Sequence, residues 1–179
     1  GEAITERDSL PVMTTLGVTT LISDSGVTRY RVNTEEWMMY DRKKPSYWAF
    51  EKGVYMEQFD SIFNVEASIK ADTAYYYDKE RLWKLIGNVD IQNRKGERFN
   101  TELLYWNEAT QKVYSDKFIR IQQPDRIITG HGFDSNQQMT IYTIRNIEGI
   151  FYVDEEASSG PPQPETKALP DSVNKDTAK

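Results

Sequence analysis

The side chains best equipped for chemistry in this chain are His131, the carboxylates Asp72, Asp78 and Asp90, and the run Tyr75-Tyr76-Tyr77 with Trp83. His131 is the one histidine, set between Gly130 and Gly132. A catalytic zinc needs three protein ligands, and a nucleophilic triad needs a base with its orienting partner. No such set can be assembled around His131, so it reads as structural. The Gly130-His131-Gly132 segment is not followed by a helix whose N-terminus could hold a phosphate. Glycoside hydrolysis needs two carboxylates facing one another across the bond. Asp72, Asp78 and Asp90 fall at turns or at outward positions and look solvated. The tyrosine run with Trp83 is either a sugar-stacking surface or an aromatic girdle, and packing is the commoner use of such residues.

The elements that would position these residues are strands. Phe63, Val65, Ala67, Ile69 and Ala71 alternate with polar neighbours, the period of a strand with one buried and one wet face. Further β-prone runs cover 18–22, 27–33, 36–40, 47–50 and 54–59. Asn33-Thr34-Glu35-Glu36 offers a helix cap, so a short helix over 35–39 competes with strand there. Turn chemistry separates the runs at 23–26, 41–46, 93–96, 107–111, 123–125 and 134–137. From Ile69 to Gly149 one pattern is written three times. Its markers Asp78, Asn107 and Asp134 stand 29 and 27 residues apart, the length of a strand-turn-strand unit with its connection.

Composition narrows the function classes. The chain has 179 residues, and all 22 aromatics lie within 17–153, which is the expected folded domain. Residues 154–179 hold four of the seven prolines, six acids and three bases, the composition of a disordered polar tail. Residues 1–16 are expected to be a linker following a removed or absent anchor. The net charge of −6 and the lack of a basic cluster larger than Arg42-Lys43-Lys44 argue against nucleic acid. With no cysteine, disulfides and thiolate sites are excluded. No cofactor and no metal is expected, and the chain does not read as an enzyme.

The order Ala71-Asp72-x-Ala74, Gly87-Asn88-Val89-Asp90-Ile91, Thr101-Glu102-Leu103, Ser115-Asp116, Ile119-x-Ile121 and Gly130-His131-Gly132-Phe133 resembles a known family. It is similar to the OstA-like β-jellyroll proteins of lipopolysaccharide transport, and most of all to the LptC family, over roughly 25–149. The resemblance implies an all-β, twisted and slightly open β-jellyroll with an apolar groove, facing the periplasm and associated with the inner membrane. It implies that lipopolysaccharide arrives from an inner-membrane ABC transporter and leaves to a soluble LptA-like β-jellyroll by edge-strand addition.

Alternation assigns Tyr30, Val32, Trp48, Phe50, Phe63, Val65, Ala67, Ile69, Val89, Ile91, Ile119 and Ile121 to the interior. Core packing is the default fate of such residues; the resemblance makes them candidates for a lipid groove. Val18, Thr20 and Ile22 at one end of the series, and Met139, Ile141 and Thr143 at the other, are candidate partner edges, because both segments are β-prone and little charged. The rival reading is a closed-core structural or carbohydrate-binding module of the cell envelope, with an envelope-glycan hydrolase behind it.

Overall fold

A computed structural model describes residues 9–24 and 27–153. Eleven strands follow one another: β1 (Met13–Asp24), β2 (Val27–Tyr40), β3 (Tyr47–Phe50), β4 (Val54–Phe59), β5 (Val65–Ala71), β6 (Thr73–Tyr77), β7 (Leu82–Asn93), β8 (Arg98–Asn107), β9 (Lys112–Gln122), β10 (Arg126–Asn136) and β11 (Tyr142–Tyr152). All pair antiparallel within one sheet.

The sheet forks between β2 and β7, and the register explains why. β3 and β4 pair with successive stretches of β2 and are one strand broken by a corner at 51–53. In the same way β6 and β5 pair with successive stretches of β7 and are one strand broken at Asp72. The chain is therefore a simple meander in which every long strand bends near its middle. The register breaks between Ile86 and Val89, Thr101 and Tyr105, and His131 and Phe133 lie on that same line. Gly17, Gly53, Gly87 and Gly132, all with positive φ, sit along it.

Bending the sheet on one line folds it into two walls that bury their facing surfaces on each other. The first wall carries 38–40, 47–50, 73–77, 82–86, 103–107, 112–115 and 133–136. The second carries 27–34, 54–59, 65–71, 89–93, 98–101, 118–122 and 126–131. The core lies between them. Tyr30 of the second wall meets Trp106 of the first at 5.3 Å, and Phe99 meets Phe133 at 5.8 Å. Trp83, Phe50, Phe99, Met56 and Leu104 are fully enclosed. This is the all-β jellyroll-like architecture expected from the sequence.

Several local expectations change. Residues 35–39 are strand, not helix, because β2 runs unbroken from Val27 to Tyr40 and pairs with β1 through this stretch. Met13 to Leu16, expected as linker, already belong to β1. Ser23 and Asp24 extend β1; Ser25 and Gly26, the rest of the expected turn, and the tail 154–179 lie outside the described residues. The last turn sits at 137–141, beyond the expected 134–137, and leads into a long β11.

The threefold repeat is three hairpin turns on the first wall. Each contains a positive-φ residue: Arg81, Gln111 and Met139. The second wall also has left-handed residues in its shorter turns, at Phe63 and Gly96.

Gly132 tests the bend line. Its φ is +83°, and an added Cβ would lie 2.8 Å from Arg145 Nε; Gly96 has φ +77° with nothing within 4 Å. Both alanine variants carry left-handed strain of about 1–2 kcal/mol. Gly132→Ala also displaces Arg145, which holds the Ser115 carbonyl and Asp116 across the bend. Urea unfolding should show Gly132→Ala less stable than Gly96→Ala by about 1–2 kcal/mol.

Candidate functional site

The free rims of the two walls face each other across a cleft of about 450 Å³. Arg29, Gln58 and Asp60 line it from the second wall, and Trp48, Tyr76, Trp106 and Gln137 from the first. Below it the apolar interior runs the length of the fold.

The cleft is crossed by a polar bridge built on one carboxylate. Tyr30 of β2 donates its hydroxyl to Glu108 Oε1 at 2.7 Å, and Trp83 Nε1 donates to the same oxygen at 2.8 Å. Arg81 lies 3.8 Å from the other oxygen. Glu108 belongs to the turn between β8 and β9, so the bond from Tyr30 ties one rim to the other. Burial, with Glu108 beside it, pushes the Tyr30 phenol far above its ordinary range, which keeps it a hydrogen-bond donor.

A second bridge closes the opposite flank. Glu97 accepts from Tyr142 Oη and from Asn93 Nδ2, the latter at 2.9 Å. Asn93 also donates to the Met139 carbonyl at 2.8 Å, and Gln123 donates to Tyr142 at 2.7 Å. Burial first, then the bond to Glu97, pushes the Tyr142 phenol up to about 12. The interior is thus apolar at its floor and tied by hydrogen bonds across its rims.

Of the residues expected inside, Tyr30, Val32, Phe50, Ala67, Ile69, Val89, Ile91, Ile119 and Ile121 are buried, and Trp48 is half-buried at the cleft. Phe63 and Val65 are not in the interior; they are 50% and 44% exposed. Phe63 occupies the β4–β5 turn, stacked on Phe59 at 4.3 Å, and a register shift at Gln58/Phe59 leaves Val65 on the rim. Alternation continued through a turn it could not see.

The edge candidates divide in the same way. β1, with Val18, Thr20 and Ile22, pairs only with β2, and β11, with Thr143, pairs only with β10, so each has one unpaired edge among the described residues. Ile141 is 76% exposed just before β11. Met139 is no edge residue. It closes the β10–β11 turn with its side chain enclosed in the core, because its left-handed backbone points it inward between the walls.

Tyr76 and Trp83 face the interior, 4.7 Å apart, whereas Tyr75 and Tyr77 lie on the outer face around Tyr47, so the tyrosine run is no single platform. His131 pairs with Glu148 on the outer face and lies edge-on to Phe118. Among the described residues, no group of three or more metal-binding side chains comes together, and no helix is long and apolar enough to cross a membrane. Glu108, Glu97 and Asn93 are the functional candidates that sequence reasoning missed. Only the turn positions of Asn93 and Glu108 were visible, not the partners opposite them.

An antiparallel meander folded over an apolar interior, with one unpaired edge on each of β1 and β11 among the described residues, defines an all-β, jellyroll-like protein. The family model described as "Lipopolysaccharide-assembly, LptC-related" matches residues 12–151, and the chain belongs to that family. Its role lies in lipopolysaccharide transport. No curated protein matches the chain in sequence.

Glu108→Ala would leave Tyr30 and Trp83 without an acceptor and should cost about 1–3 kcal/mol in urea unfolding, with a shifted tryptophan emission. Glu108→Gln keeps an acceptor and should lose much less. Tyr142 gives a pH test. Its folded pKa of about 12 lies above the ordinary 10, so its contribution is complete below pH 10 and is lost as pH rises toward 12. Urea midpoints measured across that window should fall, and Tyr142→Phe should fall less steeply.

Proposed function

We propose that this protein is a periplasmic, inner-membrane-associated lipopolysaccharide carrier, not an enzyme. In this reading the acyl chains travel between the two walls. Lipid arrives from an inner-membrane ABC transporter and leaves to a soluble LptA-like β-jellyroll docked on an unpaired edge. What supports the reading is the cluster of buried apolar side chains between the walls, Tyr30, Val32, Ile69 and Ile91 among them with Trp48 packed against it, in a member of this family.

The physical requirements are met by these residues. Each methylene moved out of water is worth about 0.8 kcal/mol, so a continuous apolar track holds a chain without fixing its position. The interior side chains are buried against one another. Entry therefore requires the walls to part, and the Tyr30–Glu108 bond is the contact that must open first, since it spans the rims over the cleft. The unpaired edges of β1 and β11 supply main-chain donors and acceptors for strand addition. Stacking the partner's sheet on one of them lines up the two interiors.

Photo-crosslinking amino acids at Trp48 and Ile69, with the outward Gln92 as control, test the path in cells making lipopolysaccharide. Lipid adducts at Trp48 and Ile69 and none at Gln92 are expected. Equal labelling at all three, in variants shown to be folded, would favour a closed module that carries no lipid inside.

A further inference from the structure

On the face of the sheet turned away from the interior, a hollow of about 1080 Å³ straddles the bend line. Its floor is apolar. Ile86, Leu103 and Phe118 point outward, because their neighbours Leu85, Leu104 and Ile119 point into the core. Phe118 is 45% exposed, touched on one side by the edge of the His131 ring.

The charges around this floor are not balanced. Asp90 is held by Arg98. Asp72 accepts from Asn88 Nδ2 at 2.8 Å, Glu102 accepts from the Asn88 backbone N–H at 3.2 Å, and His131 is taken by Glu148. Lys70, Lys84, Lys117 and Arg120 also line the hollow, and none forms an ion pair with another described residue. Four cations thus line the hollow with three carboxylates, of which Asp90 alone is ion-paired, by an arginine outside the lining, so the lining carries a net positive charge.

We propose that this hollow is a second binding site, for a single-chain anionic amphiphile: an acyl chain lying on Ile86, Leu103 and Phe118, with a carboxylate or phosphate head held by the free cations. A bare anion would leave the apolar floor wet. A nucleic acid would meet the three carboxylates along its track. The hollow exceeds the roughly 300–1,000 Å³ common for small-molecule sites, which leaves room for a chain as well as a head group. Lysine and arginine stems extend the apolar surface while their charges stay at the rim. The site lies on the opposite face from the lipid path proposed above and does not depend on it.

Calorimetric titration of the whole chain with dodecyl phosphate and with laurate, each below its micelle concentration, tests the assignment. One molecule per chain should bind. Lys117→Glu/Arg120→Glu and, separately, Phe118→Ser should each weaken it by about tenfold or more. Lys79→Glu, at an exposed turn residue outside the hollow, should leave it unchanged. Circular dichroism checks that each variant folds. Inorganic phosphate binding as tightly as dodecyl phosphate would overturn the proposal in favour of a simple anion site. Binding to anionic vesicles without binding to the monomeric amphiphiles would overturn it in favour of a membrane-facing surface. Equal affinity in all variants would overturn it outright. None of these outcomes bears on crosslinking at Trp48 or Ile69, so this site and the interior path can fail separately.

Discussion

The rest of this structure depends on one constraint: a single meandering sheet has to bury its own apolar face. A flat antiparallel sheet with one apolar side has no partner layer unless another element covers it. Here the cover is the sheet itself, bent along one line that crosses each long strand. The bend cannot be made by one residue. It requires local departures in several strands, so β3 and β4 are divided at 51–53, β5 and β6 at Asp72, and β7 shifts register at Gly87-Asn88. The polar residues on the line are tied across it rather than left to solvent. Asp72 N–H donates to the Gly87 carbonyl at 2.9 Å, and Ser115 Oγ to the Leu103 carbonyl at 2.6 Å. These bonds satisfy backbone groups that the interrupted ladder leaves open.

The bend also sets where the two walls meet. They are joined along one side and face each other at their rims on the other. The rims meet through polar contacts of Tyr30 with Glu108, Tyr142 with Glu97 and Asn93 with the Met139 carbonyl, while the floor is held by wide apolar contact. Hydrogen bonds of this kind add about 0.5–1.5 kcal/mol each, more where one partner is charged. They would suit the opening that the proposed lipid entry asks for. Among the described residues the first and last strands pair on one side only, and both are long. Long open edges are a liability in a solitary domain and an asset in one that joins others end to end.

The legible part of the fold was its period. Alternation found the inner face of β5, β7 and β9, since Ile69, Ile91 and Ile119 face inward with period two and nothing interrupts it. It failed where the backbone departs from the strand, at Phe63 in a turn and at Val65 after a register shift. It also failed at Met139, whose left-handed backbone turns an expected edge residue into core. The helix cap at 33–36 is genuine local chemistry, yet pairing with β1 on one side of β2 outweighs it. The repeat was legible as a spacing, and the structure places a hairpin turn with a left-handed residue in each copy, at Arg81, Gln111 and Met139.

The residues at the rims were not legible, for a different reason. Glu108 and Tyr30 are 78 positions apart, and Asn93 and Met139 are 46 apart. No local pattern links such pairs; they meet only because the sheet folds at its midline. The sequence by itself determined the all-β class, the strand period, the turns and the membership of a lipopolysaccharide-transport family, because these rest on local propensity and ordered short motifs. The tertiary structure alone decided that two broken strands are halves of bent ones and which polar groups close the cleft. It also decided that unpaired cations gather over an apolar floor on the outer face. Those are relations between walls and strands brought together by one bend, and a linear pattern carries no record of them.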